Sequence, residues 1–353
     1  MKPVPRVPLL IAILPLLLSA AKAPRSCTVR ELKEVLLAPN ITTETLLATG
    51  TVQSVHNCAF NISDSSGYAR LSTYTNPIPK PGTVVEVVCS RVDQPDHDKI
   101  LYCCRWSAIG TSAIAPPLNL NLNEIDDHLH DSTTISTEGT VVDVVADEID
   151  SRFRILLLKD GAETLPCFVE QARLPQKLQD ARIRLTGTYR RLVNGFRRFS
   201  GPLVDVTSGI SVVDPAPTDL LDAPAIDPSN YMTPKDIAKM NRRSLVGTVL
   251  ATWGGNQAML RSGKTVVNLH FARNSSLPPC GTAVKVAGYP GTDLYRLILS
   301  KCVWASAEAP ADDGRDERTL YVSPRQILIA DGHRLQVNSE SHGLLIRIRG
   351  VVR

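Results

Sequence analysis

The stretch Gly50-Thr51-Val52 starts a strand, and the same kind of start returns at Gly139-Thr140-Val141, Gly247-Thr248-Val249 and Gly350-Val351-Val352. The intervals between the glycines are 89, 108 and 103 residues. Self-similarity at a regular spacing indicates an internal repeat. The sequence therefore predicts three copies of one small unit and the start of a fourth copy near the end of the chain.

Each copy is predicted to contain five strands joined by short turns. The second strand ends in a hairpin turn, at Asp64-Ser65-Ser66-Gly67, Lys159-Asp160-Gly161 and Arg261-Ser262-Gly263. The later strands are predicted at Tyr68–Tyr74, Thr83–Val88 and Ile100–Ala108 in the first copy, at Glu163–Val169, Arg182–Gly187 and Leu203–Val213 in the second, and at Thr265–Phe271, Thr282–Gly288 and Leu294–Trp304 in the third.

Five strands in about 70–80 residues is typical of a small closed or half-closed barrel such as the OB-fold, whereas an Ig-like sandwich needs about seven strands. Helical spacing in Thr28–Leu36, and the cap Thr233-Pro234 before Lys235–Met240, predict a short helix ahead of a barrel. The predicted fold class is all-β, with tandem five-stranded OB-like barrels that are each preceded by a short helix.

Proline-rich joints set the predicted boundaries, at Ala115-Pro116-Pro117, Asp214-Pro215-Ala216-Pro217 and Ala309-Pro310-Ala311. They divide the chain into a signal peptide at residues 1–21, modules at 22–117, 118–217 and 218–312, and the start of an incomplete fourth module at 313–353. The last segment contains Leu344–Val352, an alternating apolar strand with no partner strands after it. We expect either that the natural chain continues or that this strand pairs with another molecule.

The N-terminus has the pattern of an export signal. Lys2 and Arg6 precede the apolar run Leu9–Leu18, and Ser19 and Ala21 occupy the −3 and −1 positions of a cleavage site. About 13 apolar residues are fewer than the roughly 20 that a membrane-spanning helix needs. We therefore expect an exported protein, periplasmic or extracellular.

Composition limits the classes of partner. Hydrophobic residues make up 43% and charged residues 21% of the chain, as in ordinary globular proteins. Without Lys2 and Arg6, 37 of the 39 basic residues remain against 35 acidic ones, a net charge of about +2. Such a charge gives little general attraction to polyanions, so nucleic acid is not the expected partner. We expect an unknown ligand or periplasmic partner, and no cofactor.

None of the eight cysteines has the paired spacing of a zinc site. A hairpin that turns near Asp96 places Cys89 opposite Cys103. Export permits a disulfide between them, and the alternative is two small buried apolar residues. The pair His128 and His130 is a candidate metal site, because the two rings point to one side of an extended segment. The alternative there is a solvated acidic joint.

The most distinctive local feature is the segment Tyr189–Phe199. Its Asn194-Gly195 pair predicts a hairpin turn that brings Arg191 opposite Arg198. Two opposed cations repel, and a bound anion would relieve the repulsion. OB-folds use aromatic residues in this loop to hold oligonucleotides or sugars. The predicted ligand-binding residues are Tyr189, Arg191, Phe196 and Arg198, and the alternative is a solvated hairpin tip.

With the repeats laid out, the chain resembles the extracytoplasmic sensor region of bacterial membrane-bound sensor histidine kinases and related signalling proteins. The resemblance rests on Pro79–Val87, on Gly281–Pro290 and on His342–Val352, and it covers about residues 28–353. It implies OB-like repeats and an input role in signal transduction, with membrane tethering through a C-terminal part. The transmitter part of such proteins is absent from this sequence, so kinase activity is not implied.

The sequence shows no Gly-x-Ser-x-Gly elbow and no His-Glu-x-x-His helix, so we expect no enzyme. The leading hypothesis is a non-catalytic sensing module of a two-component signalling protein, in which tandem barrels recognise a ligand and pass the event through stiff joints. The alternative is a secreted OB-fold binder of nucleic acid or glycan that acts alone. A membrane span and a transmitter encoded beyond Arg353 would favour the first hypothesis.

Overall fold

A computed structural model describes residues 23–38, 44–56, 58–73, 77–92, 100–126, 129–192, 201–273, 275–293 and 296–308, and four short strands between 320 and 347. These residues form two compact units. The first unit contains one barrel, and the second contains two further barrels. The predicted signal peptide and most of the predicted fourth module lie outside the described residues.

The first barrel has five strands in the order β2-β3-β4-β6-β5, and β5 pairs back onto β2 to close it. Its strands are β2 (Thr45–His56), β3 (Ala59–Ser63), β4 (Tyr68–Ser72), β5 (Thr83–Val92) and β6 (Ile100–Thr111), preceded by β1 (Arg25–Ser26) and helix α1 (Val29–Leu37). Each neighbouring pair is antiparallel except β4 with β6, which run parallel.

The second barrel repeats this order as β8-β9-β10-β12-β11, with β11 pairing back onto β8. Its strands are β7 (Leu118–Asn119), β8 (Thr134–Ala146), β9 (Phe153–Asp160), β10 (Glu163–Glu170), β11 (Arg182–Leu192), β12 (Gly201–Val206) and β13 (Ser211–Asp214). The prediction of one strand over Leu203–Val213 was wrong. The chain breaks after Val206, where the amides of Thr207 and Ser208 donate to the carbonyl of Thr186, and β13 then pairs with the start of β11 on the side that β8 does not occupy.

The third barrel is closed as β14-β15-β16-β18-β17. Its elements are helix α2 (Pro234–Ala238), β14 (Arg243–Trp253), β15 (Gln257–Ser262), β16 (Thr265–Phe271), β17 (Ala283–Asp293) and β18 (Arg296–Ser306). The strand order of all three barrels is that of the OB-fold, a five-stranded Greek-key barrel. The chain is therefore an all-β protein built from tandem OB-like barrels.

Each barrel has its own hydrophobic core, because alternate residues of every strand point inward. In β11 the inward side chains are Ile183, Leu185 and Tyr189, each with 1% or less of its surface exposed. The three cores are separate clusters that share no residue. Each barrel is therefore a packing unit with an interior filled by its own side chains.

The helices begin where the sequence predicts them. Thr28 caps α1 in a capping box, in which the Glu31 amide donates to the Thr28 hydroxyl and the Thr28 amide donates to the Glu31 carboxylate at 2.7 Å. Thr233 caps α2 with Pro234 at its first position. The second barrel is preceded instead by one turn of 3₁₀ helix over 122–124.

A short segment before each barrel pairs in parallel with the start of that barrel's first long strand, a feature that the sequence did not reveal. The partners are Arg25 and Leu46 in the first barrel, Leu118 and Ile135 in the second, and Ala225 and Ser244 in the third. The same pairing joins β19 (Leu320–Tyr321) to β22 (Ile346–Arg347), with β20 (Leu328–Asp331) and β21 (Arg334–Val337) as a hairpin between them. This last pairing falls in the segment for which a fourth copy is predicted.

Candidate ligand-binding face

The predicted hairpin site is only partly within the described residues. Arg191 lies exposed near the end of β11, while Phe196 and Arg198 fall in the undescribed stretch 193–200. Tyr189 is wholly buried in the core of the second barrel. Because its ring faces the interior, Tyr189 cannot stack on a ligand that approaches from solvent, and its assignment as a ligand-binding residue was wrong.

The alternation of β11 explains where Tyr189 lies. Ile183, Leu185, Gly187 and Tyr189 occupy every second position, so they share the inward face of one strand. Arg190 and Arg191 follow at the strand end. The Arg190 guanidinium donates to the carboxylate of Asp205 on β12 at 2.8 Å, which gives the Asp205 charge a partner where its side chain is only 9% exposed.

Two phenylalanines on the outer surface of the second barrel form the clearest candidate site. Phe153 begins β9 and Phe168 lies on β10, and their rings stack with centroids 4.6 Å apart and planes 11° from parallel. Both rings are half-buried. Their strands are the second and third of the barrel, and OB-folds bind oligonucleotides and oligosaccharides on this face.

An arginine stands at one side of the stacked rings. The guanidinium of Arg152 lies 5.9 Å from the centroid of the Phe153 ring, within the range of a cation–π contact. The Asp150 carboxylate accepts from Arg152 at 2.7 Å and orients it, and this hydrogen bond holds the pKa of Asp150 below its usual value. The turn before β9 therefore presents a positive group beside an aromatic surface.

Apolar side chains extend the face along β9 and β10. Ile155 lies opposite Phe168, and Leu157 lies opposite Pro166, all on the outer side of the barrel and half-buried. Val145 on β8 lies beside Ile155 and is 47% exposed. We call Phe153, Ile155, Leu157, Pro166 and Phe168 the β9–β10 face. Sequence reasoning missed it because Phe153 and Phe168 meet only through the register of the hairpin.

His130, one of the two predicted metal ligands, takes part in a local turn in the linker before the second barrel. The Nδ1 atom of His130 accepts the Asp126 amide at 2.8 Å, and the Asp126 carboxylate accepts the Leu129 amide at 2.9 Å. The imidazole nitrogen is thus engaged in a local turn, and His128 lies outside the described residues. Within the described residues, no group of three or more His, Cys, Asp or Glu side chains is placed to hold a metal ion.

Cys89 and Cys103 face each other across β5 and β6, as the sequence predicts. Both are buried free thiols, and Cys103 donates to the carbonyl of Arg105 at 3.2 Å. Burial raises the pKa of Cys89, and it raises the pKa of Cys103 to about 12. A disulfide between them stays a prediction.

A groove of about 560 Å³ on the third barrel is a weaker candidate. It is lined by Ile226, Ser244, Leu245 and Lys285, together with Asp227 and its neighbours. The Asp227 carboxylate accepts from the amide and hydroxyl of Ser229 and thereby stabilises its own turn. Because no aromatic side chain lines this groove among the described residues, it offers no stacking surface comparable with the β9–β10 face.

The comparisons with known proteins found no matching family model and no matching curated protein. Among solved structures, the asparaginyl-tRNA synthetase of Entamoeba histolytica in complex with asparaginyl-adenylate is 14% identical over 35% of this chain and 29% of its own, with a TM-score of 0.25. A murine DNA-binding protein bound to double-stranded DNA is 10% identical over 50% of this chain and 100% of its own, with a TM-score of 0.28.

A multidomain protein with nucleic acid binding domains from Streptococcus pneumoniae is 10% identical over 72% of this chain and 73% of its own, with a TM-score of 0.16. The chain spans between 22% and 29% of the length of the aminoacyl-tRNA synthetases that it matches. Similarity at these scores carries no function to this chain, and its fold class follows from its own strand order. No helix in the described ranges is long and apolar enough to cross a membrane.

Proposed function

We propose that this chain is a non-catalytic, exported binding protein and that its second barrel takes a ligand on the β9–β10 face. The larger role that we propose is the input module of a signalling protein, in which ligand binding is passed along the tandem barrels. This role rests on the resemblance of the repeats to extracytoplasmic sensor regions. A free-standing binder of nucleic acid or glycan would use the same face.

The observation that carries the proposal is the stacked pair of Phe153 and Phe168 with Arg152 beside it. A half-exposed aromatic surface offers a planar ring or a sugar face a contact that removes apolar area from water. Stacking of one base on one aromatic side chain contributes roughly 1–3 kcal/mol. The arginine adds attraction for an anionic group at the edge of the rings, so the face suits a ligand that combines rings and negative charge.

The role of the inward residues supports a binding function rather than a structural role for these rings. The barrel core is already filled by Leu156, Leu158, Leu165 and Cys167, which alternate with the outward positions. Phe153 and Phe168 therefore contribute little to closing the barrel. Large apolar side chains on an outer surface are expected at interaction sites.

The test is ligand binding by the Phe153→Ala variant of the full chain, measured by calorimetry against acidic and neutral oligosaccharides and a single-stranded oligonucleotide. We expect the bound probe to lose about tenfold or more in affinity, in line with the loss of one stacking contact. Tyr231→Ala is the matched control, because Tyr231 is 92% exposed on the third barrel and lies off the face. Equal affinities for both variants and the parent chain would refute the site.

A further inference from the structure

A buried ion pair joins the second barrel to the third. The Asp180 carboxylate, in the turn before β11, accepts from the Nε of Arg242 at 2.7 Å, and their side chains are 8% and 6% exposed. The hydroxyl of Tyr289 on β17 also donates to Asp180. A buried carboxylate needs such partners to offset its lost hydration, and all of them here come from the third barrel.

The third barrel holds Arg242 in place independently of Asp180. Its guanidinium donates to the carbonyls of Ala287 at 3.2 Å and Lys301 at 2.9 Å. It also lies 4.7 Å from the centroid of the Tyr289 ring. A cation fixed by this many contacts loses little conformational entropy when Asp180 docks, so the ion pair sets a defined arrangement of the two barrels.

The backbone at the joint indicates that its side chains are needed there. Asp180 has φ of 65° and Lys301 has φ of 53°, in the left-handed region that glycine adopts at lower cost. Both residues nevertheless carry charged side chains that cross between the barrels, since the Lys301 ammonium pairs with the carboxylate of Asp143 on β8. Strain of this kind persists where the surroundings fix it and points to a function.

Lys301 of the third barrel reaches the end of the β9–β10 face through its partner Asp143. Asp143, the partner of Lys301, lies opposite Leu157 on the outer side of the barrel. Lys159 continues the outward positions of β9, and its ammonium donates to the carbonyl of Ala238 at the end of α2. Lys159 is only 9% exposed, whereas the Lys301 side chain is 40% exposed, so Lys301 is the ammonium group at this corner that a ligand can contact.

The corner lies about 13 Å from Phe153, since Leu157 is four residues further along an extended strand that rises about 3.3 Å per residue. Between them the face is apolar, with Ile155, Leu157 and Pro166. A chain with a phosphate on every unit would lose hydration along this apolar stretch without gaining cations. A sugar chain can lay its apolar ring faces there and bring one acidic group to the corner.

We propose that the third barrel completes the ligand face of the second and that the ligand is an acidic oligosaccharide, with rings against Phe153 and Phe168 and a carboxylate or sulfate at Lys301. The proposal rests on the function proposed for the β9–β10 face. Asp180 is a positioning residue, because it fixes the barrel that carries Lys301. The face therefore selects ligands in which an apolar ring and a negative charge are separated by a fixed distance.

The experiment compares two probes on the full chain, a neutral oligosaccharide that ends in one glucuronic acid and the same oligomer with that carboxylate methyl-esterified. The parent chain should bind the acid more tightly than the ester. Lys301→Met should reduce that preference by about three- to tenfold, the scale of one charge-assisted contact. Asp143→Asn should increase the preference, because it removes the carboxylate that competes for Lys301.

Asp180→Asn should lower the preference for the acid as Lys301→Met does, since asparagine tolerates the left-handed backbone and only the charge is lost. The control is Lys177→Met, in the same turn and also left-handed, with φ of 54°. Loss of acid preference in a variant whose affinity for the ester is unchanged separates this effect from unfolding.

An acid preference that is equal in the parent chain, Lys301→Met and Asp143→Asn would overturn the two-barrel site, while a loss in Phe153→Ala would leave the proposed function standing. Failure of Phe153→Ala to weaken either probe would remove both. Tighter binding of a single-stranded oligonucleotide than of the acid oligomer, or no binding of the acid oligomer, would refute the ligand class.

Discussion

The first and second barrels have the same strand order but different outer surfaces on their second and third strands. In the second barrel the outward positions carry Ile155 and Phe168. The residues at the same places in the first barrel, counted by strand register, are Ala59 and Ser72. All five residues of β3 are buried, whereas Phe153, Ile155 and Leu157 on the outer side of β9 are half-buried. One fold thus supports a bulky apolar face in one copy and small covered side chains in the other.

The comparison separates the residues that specify the barrel from those that give a copy its surface. Inward positions keep large apolar side chains in both barrels, with Phe60 and Ile62 on β3 and Leu156 and Leu158 on β9. Outward positions do not have to fill the core, so their chemistry can differ between copies. Binding is therefore expected to depend on residues that contribute little to stability.

The largest expected effect is on the free energy of unfolding, and it should differ between an inward ring and an outward ring of the second barrel. Tyr189→Ala removes a ring that has no exposed surface, and we expect a loss of about 3–5 kcal/mol in the free energy of unfolding. Phe168→Ala should cost about 1 kcal/mol, because its ring is half-buried on the outside. Urea unfolding of the two variants measures both losses, and similar values would contradict the division between core and face.

Substitution of the repeated glycine should lower the free energy of unfolding by different amounts in different copies, and this difference should be smaller than the first. A Cβ atom on Gly247 would lie 2.2 Å from the carbonyl oxygen of Arg261, whereas one on Gly139 would meet nothing closer than 3.2 Å. We expect Gly247→Ala to lower the free energy of unfolding by about 3 kcal/mol and Gly139→Ala by about 1 kcal/mol. Hydrogen exchange would assign each loss to its own barrel, and equal losses would show that the two glycines are packed alike.

The sequence was sufficient for features that depend on neighbours along the chain. The hairpin turn at Gly263, the cap at Thr233 and the position of Cys89 opposite Cys103 are confirmed, whereas the strands predicted to start at the repeated glycines begin four or five residues before them. Each of these is set by alternation, by a turn residue or by hairpin register. Such patterns are local, so a single sequence carries them.

The sequence did not reveal features that depend on contacts between distant segments. Asp180 and Arg242 are 62 residues apart, and no periodic pattern links them. Phe153 and Phe168 stack because one hairpin register brings them together. Tyr189 was misassigned for another reason: the aromatic and basic composition of the hairpin outweighed the alternation of Ile183 and Leu185, which places Tyr189 inside. The alternation was the more reliable guide because core packing fixes which face of a strand is buried.

The smallest effect contrasts two adjacent cysteines, one inward and one outward. The register of β5 with β6 shifts between Val88 and Cys89, so Cys104 is the extra residue of a bulge and lies exposed while Cys103 is buried. A small alkylating reagent at pH 8 should label Cys104 in the folded chain and leave Cys103 unmodified. Peptide mass spectrometry after the reaction is quenched measures both.

The pH dependence of stability tests whether the Cys103 thiol is buried in the folded chain. Burial raises the pKa of Cys103 from 9.0 to about 12, so its thiol ionises in the unfolded chain at a lower pH than in the folded chain. Its contribution to the free energy of unfolding is therefore constant below pH 9 and is lost as the pH rises from 9 towards 12. Cys103→Ala should flatten this decline without changing stability at pH 7 by more than about 1–2 kcal/mol.

If neither Cys89 nor Cys103 is labelled in the unfolded chain until a reductant is added, the two sulfurs are joined and the decline is absent in the parent chain as well. Labelling of both after unfolding without reductant would instead show that the pair remains as free thiols.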